Sequence, residues 1–275
     1  MKLQRKLTNK EWKEIVKKGP GIRNYRGKRT LFYNGEILFD DDTIEPLVYD
    51  YEERDTWQVV MVLPGVEVIP EWTFRCCRNV ETVIMADTVK RIEYSGFDCC
   101  SSLEFVKLSR NLEYIGSGAF LFCESLTSIF IPPSCREIGE RALESCTRLI
   151  IFYVPQTTML GDNVIADTES LIEASPFGED VIDEDGRYQN NERVHAWVKN
   201  LNQSEEYALH RACSSFNPIT EVVYGIVKRQ GLKSFKKENE IGVTPAQYLE
   251  ENPFADIDQR TIVKRYVIEM MGETV

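Results

Sequence analysis

Histidine is nearly missing from this sequence: the 275-residue chain holds two, His195 and His210, and neither stands in a nucleophile or metal-ligand pattern. A glycine-rich phosphate loop and a nucleophile elbow are missing as well. An enzyme is therefore not expected, and neither is a cofactor. No uninterrupted apolar run approaches the roughly 18 residues that cross a bilayer, and the N-terminus lacks the apolar core of an export signal. Membrane insertion and secretion are not expected. The eight cysteines are too sparse for a disulfide scaffold, which points to a reducing compartment, the cytoplasm or nucleus.

What is present is acidic overall and basic at one end. The formal net charge is -11, yet residues 1–29 hold eleven Lys and Arg against Glu11 and Glu14. Most of the surface should therefore repel nucleic acid and anionic lipid. The basic stretch Arg23 to Arg29, with Tyr25 interleaved, is the exception, with phosphate binding on one side and pairing with the acidic remainder on the other. Thr8-Asn9-Lys10-Glu11 reads as a capping box that opens a short helix through Trp12, Ile15 and Val16, ended by Gly19-Pro20-Gly21. Leu31-Phe32-Tyr33 and Ile37-Leu38-Phe39 flank Asn34-Gly35, the pattern of a hairpin.

From Val66 a 23-residue period sets in, with units beginning at Val66, Val89, Leu112 and Cys135 and no insertion before Thr157. The fourth position is Ile69, Ile92, Ile115 and Ile138; the ninth is Phe74, Phe97, Phe120 and Leu143; the fifteenth is Val80, Leu103, Leu126 and Leu149. Each column should stack on itself and be buried, because a single unit cannot cover its own apolar face. Val83/Met85, Val106/Leu108, Ile129/Ile131 and Phe152/Val154 alternate as one strand per unit requires. Trp57, Val60 and Val62 extend the strand columns one period back, so residues 31–65 read as an N-terminal cap ending in a half-unit strand.

The spacing Ile-x-x-x-x-Phe-x-x-Cys-x-x-Leu-x-x-Ile-x-Ile-Pro, whole in Ile115 to Pro132, resembles the BspA-like leucine-rich repeats. After Pro155 the pattern turns helical, with helices expected at about 192–200, 205–213, 219–229 and 259–271. There, Tyr207-Ala208-Leu209-His210-Arg211-Ala212 and Gly242-Val243-Thr244-Pro245-Ala246-Gln247-Tyr248-Leu249 look like degenerate ankyrin openings, with Ala208 and Ala246 departing from the motif. The layout as a whole is similar to a large group of algal proteins. The fold class expected is α/β: a leucine-rich repeat solenoid with a basic arm (1–30), an N-terminal β cap (31–65), four repeats (66–157) and a helical, ankyrin-like region (158–275). The resemblance implies an interaction module and supplies no catalytic residue.

Cys77, Cys100, Cys123 and Cys146 share the twelfth position, with Cys76 and Cys99 beside two of them. Adjacent pairs without a spacer or histidine are a poor metal pattern, and a buried ladder of small thiols is expected instead. Asp183-Glu184-Asp185-Gly186 fails as a calcium loop, because Val181 would be the first ligand. A protein partner is expected, on the outward strand positions seventeen and nineteen. These hold Thr82 and Ile84, Phe105 and Lys107, Ser128 and Phe130, and Ile151 and Tyr153. Ile84, Phe105, Phe130, Ile151 and Tyr153 would form an apolar stripe beside Lys107, open to a partner or covered by the chain's own ends or a second copy.

Overall fold

The computed structural model describes residues 9–36, 54–149, 151–168, 171, 191–201, 208–214, 226–227, 230, 232–238 and 242–251. A helix comes first, α1 (Asn9–Lys18). Trp12 and Ile15 form its inner face, and Gly19, at φ 74°, closes it with its N–H on the Val16 carbonyl at 3.0 Å. Thr8, the expected cap, lies outside the described residues.

Next come β1 (Gly21–Tyr25) and β2 (Lys28–Tyr33), an antiparallel hairpin. Its turn is Arg26-Gly27, with φ of 53° and 85°, the two positive values a type I′ turn requires and glycine tolerates freely. The hairpin therefore sits earlier than the one expected around Asn34-Gly35; residues 37–39, which were to form its second strand, lie outside the described residues. The Lys28–Tyr33 strand turns instead into the solenoid and pairs in parallel with β3 (Val59–Val62), Thr30 opposite Val59.

From there each unit gives one strand to each of two parallel sheets. The first sheet continues from β3 through β5 (Thr82–Met85), β7 (Phe105–Lys107), β9 (Ser128–Phe130) and β11 (Ile151–Tyr153). The second consists of β4 (Val68–Ile69), β6 (Arg91–Ile92), β8 (Tyr114–Ile115), β10 (Glu137–Ile138) and β12 (Met159–Leu160). Equivalent residues pair across successive units in both sheets, for example Val83 with Val106 and Ile92 with Ile115. The isoleucine, phenylalanine and leucine columns are all buried and form one continuous core between the sheets. Phe74, Phe97 and Phe120 stack face to face, with centroids 5.0 and 5.3 Å apart and interplanar angles of 19° and 3°.

Two residues per unit adopt left-handed backbone. The seventh position is Trp72, Ser95, Gly118, Arg141 and Asn163, and the eleventh is Cys76, Cys99, Phe122, Ser145 and Asp167, all with φ between 50° and 61°. These are the corners that turn the chain from one sheet to the other. Most carry a Cβ where glycine costs least, and the stack of inter-unit hydrogen bonds, such as Cys76 N–H to Asp98 C=O at 2.7 Å, holds them there. Close approach is met with glycine at another column: a Cβ on Gly139 would lie 2.5 Å from the Ser117 nitrogen of the preceding unit.

The solenoid runs one unit beyond the expected end at Thr157. Leu160 pairs with Ile138, an offset of 22 in place of 23, and Ile165, Thr168 and Leu171 fill the phenylalanine, cysteine and leucine columns as buried side chains. The lost residue and the changed side chains hide this unit from a search at fixed period. The chain after Pro155 is thus a further solenoid turn before it is helical.

The described tail is a few short helices: α2 (Asn191–Leu201), α3 (Ala208–Ser214) and α4 (Pro245–Glu251), with a 3-10 turn at Leu232–Lys236. Val194, Trp197 and Val198 of α2 are buried in the same core as the repeats. Lys199 donates from Nζ to the Thr158 carbonyl at 2.5 Å, and Gln156 donates to the Lys199 carbonyl at 3.2 Å. The second helix thereby covers the open end of the stack, as a solenoid terminus requires. The expected helix at 259–271 and the loop around Asp183 lie outside the described residues, and of the helix expected at 219–229 only residues 226 and 227 are described.

Candidate recognition surface

The outward positions of the first sheet are covered. Ile84, Phe105, Lys107 and Phe130 are buried and Tyr153 is half-buried; the Ile151 side chain lies outside the described residues. Ile84 packs in a second small core with Ile15 of α1 and with Phe32, Val59, Met61 and Leu63. Phe130 and Tyr153 stack at 6.4 Å, and Lys107 donates from Nζ to the Met85 carbonyl at 3.3 Å. Of the outcomes left open for the apolar stripe, the buried side chains show cover by the chain itself in place of an open face: alternation gives the face on which these side chains lie, but not what packs over that face. At its N-terminal end the cover is the chain's own amphipathic helix.

The second sheet carries the exposed ladder. Its third-position side chains stack in register as Val68, Arg91, Tyr114, Glu137 and Met159, and Val68 and Met159 are 38% and 62% exposed. The Arg91 guanidinium lies 4.1 Å from the Tyr114 ring centroid and forms an ion pair with Glu93 at 2.6 Å. Burial and then the carboxylates of Glu137 and Glu93 push the Tyr114 phenol up. Next to this ladder, at the corner, Trp72 and Tyr94 meet edge to face at 5.8 Å. Tyr94 and Phe122 are 47% and 40% exposed. Below them Arg141 grips the buried Glu144 carboxylate with two donors, at 2.6 and 2.9 Å. Aromatic and arginine side chains on a rigid scaffold are the residue types that anchor protein interfaces. Reading the sequence for strand alternation missed them because a two-residue strand followed by a left-handed corner has no period-two run; the stacking of Arg91 on Tyr114 was visible only as two members of one repeat column.

The cysteine ladder is buried and bonded. Cys100, Cys123 and Cys146 donate from Sγ to the carbonyls of Phe74, Phe97 and Phe120 at 3.1 to 3.3 Å. Each thiol thus satisfies the backbone of the unit before it while filling a small apolar space. Burial pushes Cys77 and Cys146 up to about 12, and Cys100 and Cys123 well above the ordinary thiol value. All eight cysteines are free thiols, and only Cys76 and Cys99 are partly exposed. Alkylation of the native protein at pH 8 should therefore modify the partly exposed Cys76 and Cys99 before the six buried thiols, which stay protected until denaturant is added, because only an accessible thiolate attacks. Peptide mass spectrometry reads this directly, and rapid native labelling of Cys100 or Cys123 would contradict the ladder.

The basic stretch is largely engaged within the chain. Arg26 pairs with Glu11, Lys28 with Glu81 at 2.7 Å, and Arg29 donates from Nε to Thr56 Oγ1 at 2.8 Å. His210 is buried, with Nε2 3.0 Å from the Val243 carbonyl and its ring edge-on to Tyr248 at 5.8 Å. Half-buried His195 lies in α2, its pKa lowered by burial and by Lys199. Among the described residues no group of three His, Cys, Asp or Glu is placed to hold a metal ion, and no helix is long and apolar enough to cross a membrane.

Two stacked parallel sheets, one strand each per unit, and buried columns of Ile, Phe, Cys and Leu define a parallel β-solenoid. Residues 56–174 match the BspA type Leucine rich repeat region in six copies, which takes in the strand before Val66 and the unit after Thr157. No curated protein matches the chain. Among solved structures, a T. pallidum Leucine Rich Repeat protein is similar at 26% identity, covering 41% of this chain and 56% of its own, with a TM-score of 0.39. The pneumococcal vaccine antigen PcpA is similar at 23% identity over 42% of this chain and 30% of its own, TM-score 0.35. A leucine-rich repeat protein from Bacteroides ovatus ATCC 8483 is similar at 17% identity over 54% of this chain and 48% of its own, TM-score 0.30. The chain thus matches about half or less of each of these.

Proposed function

We propose that this chain is a protein-binding module that recognises its partner with the exposed ladder of the second sheet and the adjoining Trp72-Tyr94 corner. The observation that carries this reading is the contrast between the two sheets: one outer face is packed against the chain itself, while the other holds an open row in which Arg91 and Tyr114 are stacked and pre-positioned. Preformed aromatic and arginine groups lose little conformational freedom on binding, so they contribute affinity efficiently. Repeat solenoids are commonly used for protein recognition; a partner acting in the cytoplasm or nucleus fits a surface whose thiols are all free. We read the tail as ankyrin-like in the same proposal, on the packing of α3 against α4 and on the reciprocal cap in which Thr244 and Gln247 bond each other's backbone and side chain.

The test is capture from native lysate with the wild type and with an Arg91→Ala, Tyr114→Ala double variant. Because Arg91 is exposed and Tyr114 only half-buried, the melting temperature should stay within a few degrees of the wild type. Loss of a specific captured protein at unchanged stability is the expected result. The same proteins captured by both would move the binding face elsewhere, and a dimer of the wild type that the double variant dissociates, measured by light scattering, would make the partner a second copy.

A further inference from the structure

The N-terminal helix does more than cover Ile84. Between α1 and the hairpin lies a cavity of about 450 Å³, walled by Lys10, Glu14 and Lys18 on the helix and by Arg23, Tyr25 and Phe32 on the strands. Its charge is opposite to that of the molecule, whose net value is -11. Glu11 and Arg26, which also line it, are paired with each other, and this leaves Lys10, Lys18 and Arg23 facing Glu14. Arg23 is held from two sides: Nη1 donates to the Gly19 carbonyl at 2.9 Å, and the guanidinium carbon lies over the Phe32 ring, 3.5 Å from its centroid. Its other terminal nitrogen, Nη2, is buried and has no hydrogen-bond partner. A buried guanidinium N–H without an acceptor costs free energy comparable to a lost charge-assisted bond. The apolar side of the same cavity is aromatic, Tyr25 meeting Phe32 edge to face at 5.8 Å.

We propose that this cavity binds a small organic phosphate monoester, with the phosphate accepting from Arg23 Nη2 and neutralised by Lys10 and Lys18, and with a flat apolar body against Ile15 and Tyr25. Guanidinium is the donor that suits phosphate oxygens, and a mixed cavity of this size holds a compact ligand. The site is separate from the second-sheet ladder and stands whether or not that ladder binds a protein.

The probe is phenyl phosphate titrated into the full chain by calorimetry at low ionic strength, with inorganic phosphate and benzyl alcohol in parallel. Saturable one-to-one binding of phenyl phosphate is expected, tighter than either half-ligand. Arg23→Gln should weaken it about tenfold or more, a loss of about 1.4 kcal/mol. Should Arg23→Gln unfold, the surface variant Lys10→Gln, Lys18→Gln gives the same reading with a smaller loss, and added salt should weaken the wild type. Absence of saturable heat at about 10 mM phenyl phosphate, a dissociation constant worth under roughly 3 kcal/mol, would overturn the site. So would unchanged affinity in the variants, and equal affinity for inorganic phosphate would overturn the organic part of the assignment.

Discussion

Phe97→Ala should lower the stability of the protein by about 3–5 kcal/mol in urea denaturation, the usual range for a fully buried phenylalanine. Phe97 is fully buried, with Phe74 stacked on one side and Phe120 on the other, and Tyr33 extends the row edge-on to Phe74 at 5.1 Å. Removing the ring leaves a cavity that neither neighbour can fill, since each is held by its own unit and by inter-unit hydrogen bonds, Phe74 N–H to Gly96 C=O at 2.9 Å and Phe120 N–H to Ala142 C=O at 2.8 Å. It also removes two aromatic contacts of about 0.5–1.5 kcal/mol each beyond the area term. In a solenoid each unit touches only its neighbours, so the damaged unit should also uncouple the N-terminal and C-terminal halves and broaden the transition. Phe97→Leu is the control. The same column changes to Leu143 and then Ile165 further along, so leucine should cost less than about 1.5 kcal/mol. A loss below about 0.5 kcal/mol for Phe97→Ala would mean that the column does not stack.

The stacking itself was legible in the sequence because a repeat multiplies weak evidence. One isoleucine predicts little; Ile69, Ile92, Ile115 and Ile138 at equal spacing predict a buried column, and all four are buried. The α1 helix was legible for a different reason: a polar cap residue, two inward apolar side chains and a terminating glycine specify a helix locally. What escaped was whatever depends on contact between distant parts. Nothing local in Ile84 says that its face is covered, since burial there is decided by packing against α1, some seventy residues upstream. The left-handed corners escaped because their columns hold Trp72, Cys76, Arg141 and Ser145, none of which announces positive φ; backbone hydrogen bonds across units impose it. The exposed row escaped with them, as a column whose members differ in every unit carries no repeat signal.

On lowering the pH from 7 to 5 the wild-type protein should lose about 2 kcal/mol of stability that a His210→Gln variant keeps, out of a full effect of about 3 kcal/mol. Burial pushes the His210 pKa down to about 4, with backbone hydrogen bonds to Val243 and Lys237 pulling the other way and the Lys237 charge adding a smaller depression. A carbonyl only accepts, so in the neutral ring Nε2 carries the proton and donates to Val243. In the unfolded chain the same histidine titrates near 6.5. Between that value and about 4 the unfolded state binds a proton that the folded state does not, so stability falls with pH across this window. It is flat above the window and levels off below it. The imidazole joins α3 to the chain just before α4, so the loss should appear first as exchange of amides in these two helices. Glutamine can still donate to the Val243 carbonyl but does not titrate. Carboxylates respond to acid alike in both proteins, and the difference between the two pH curves isolates His210. Curves that run parallel from pH 7 to 5 would show that the ring is charged, or free of Val243, in the folded protein.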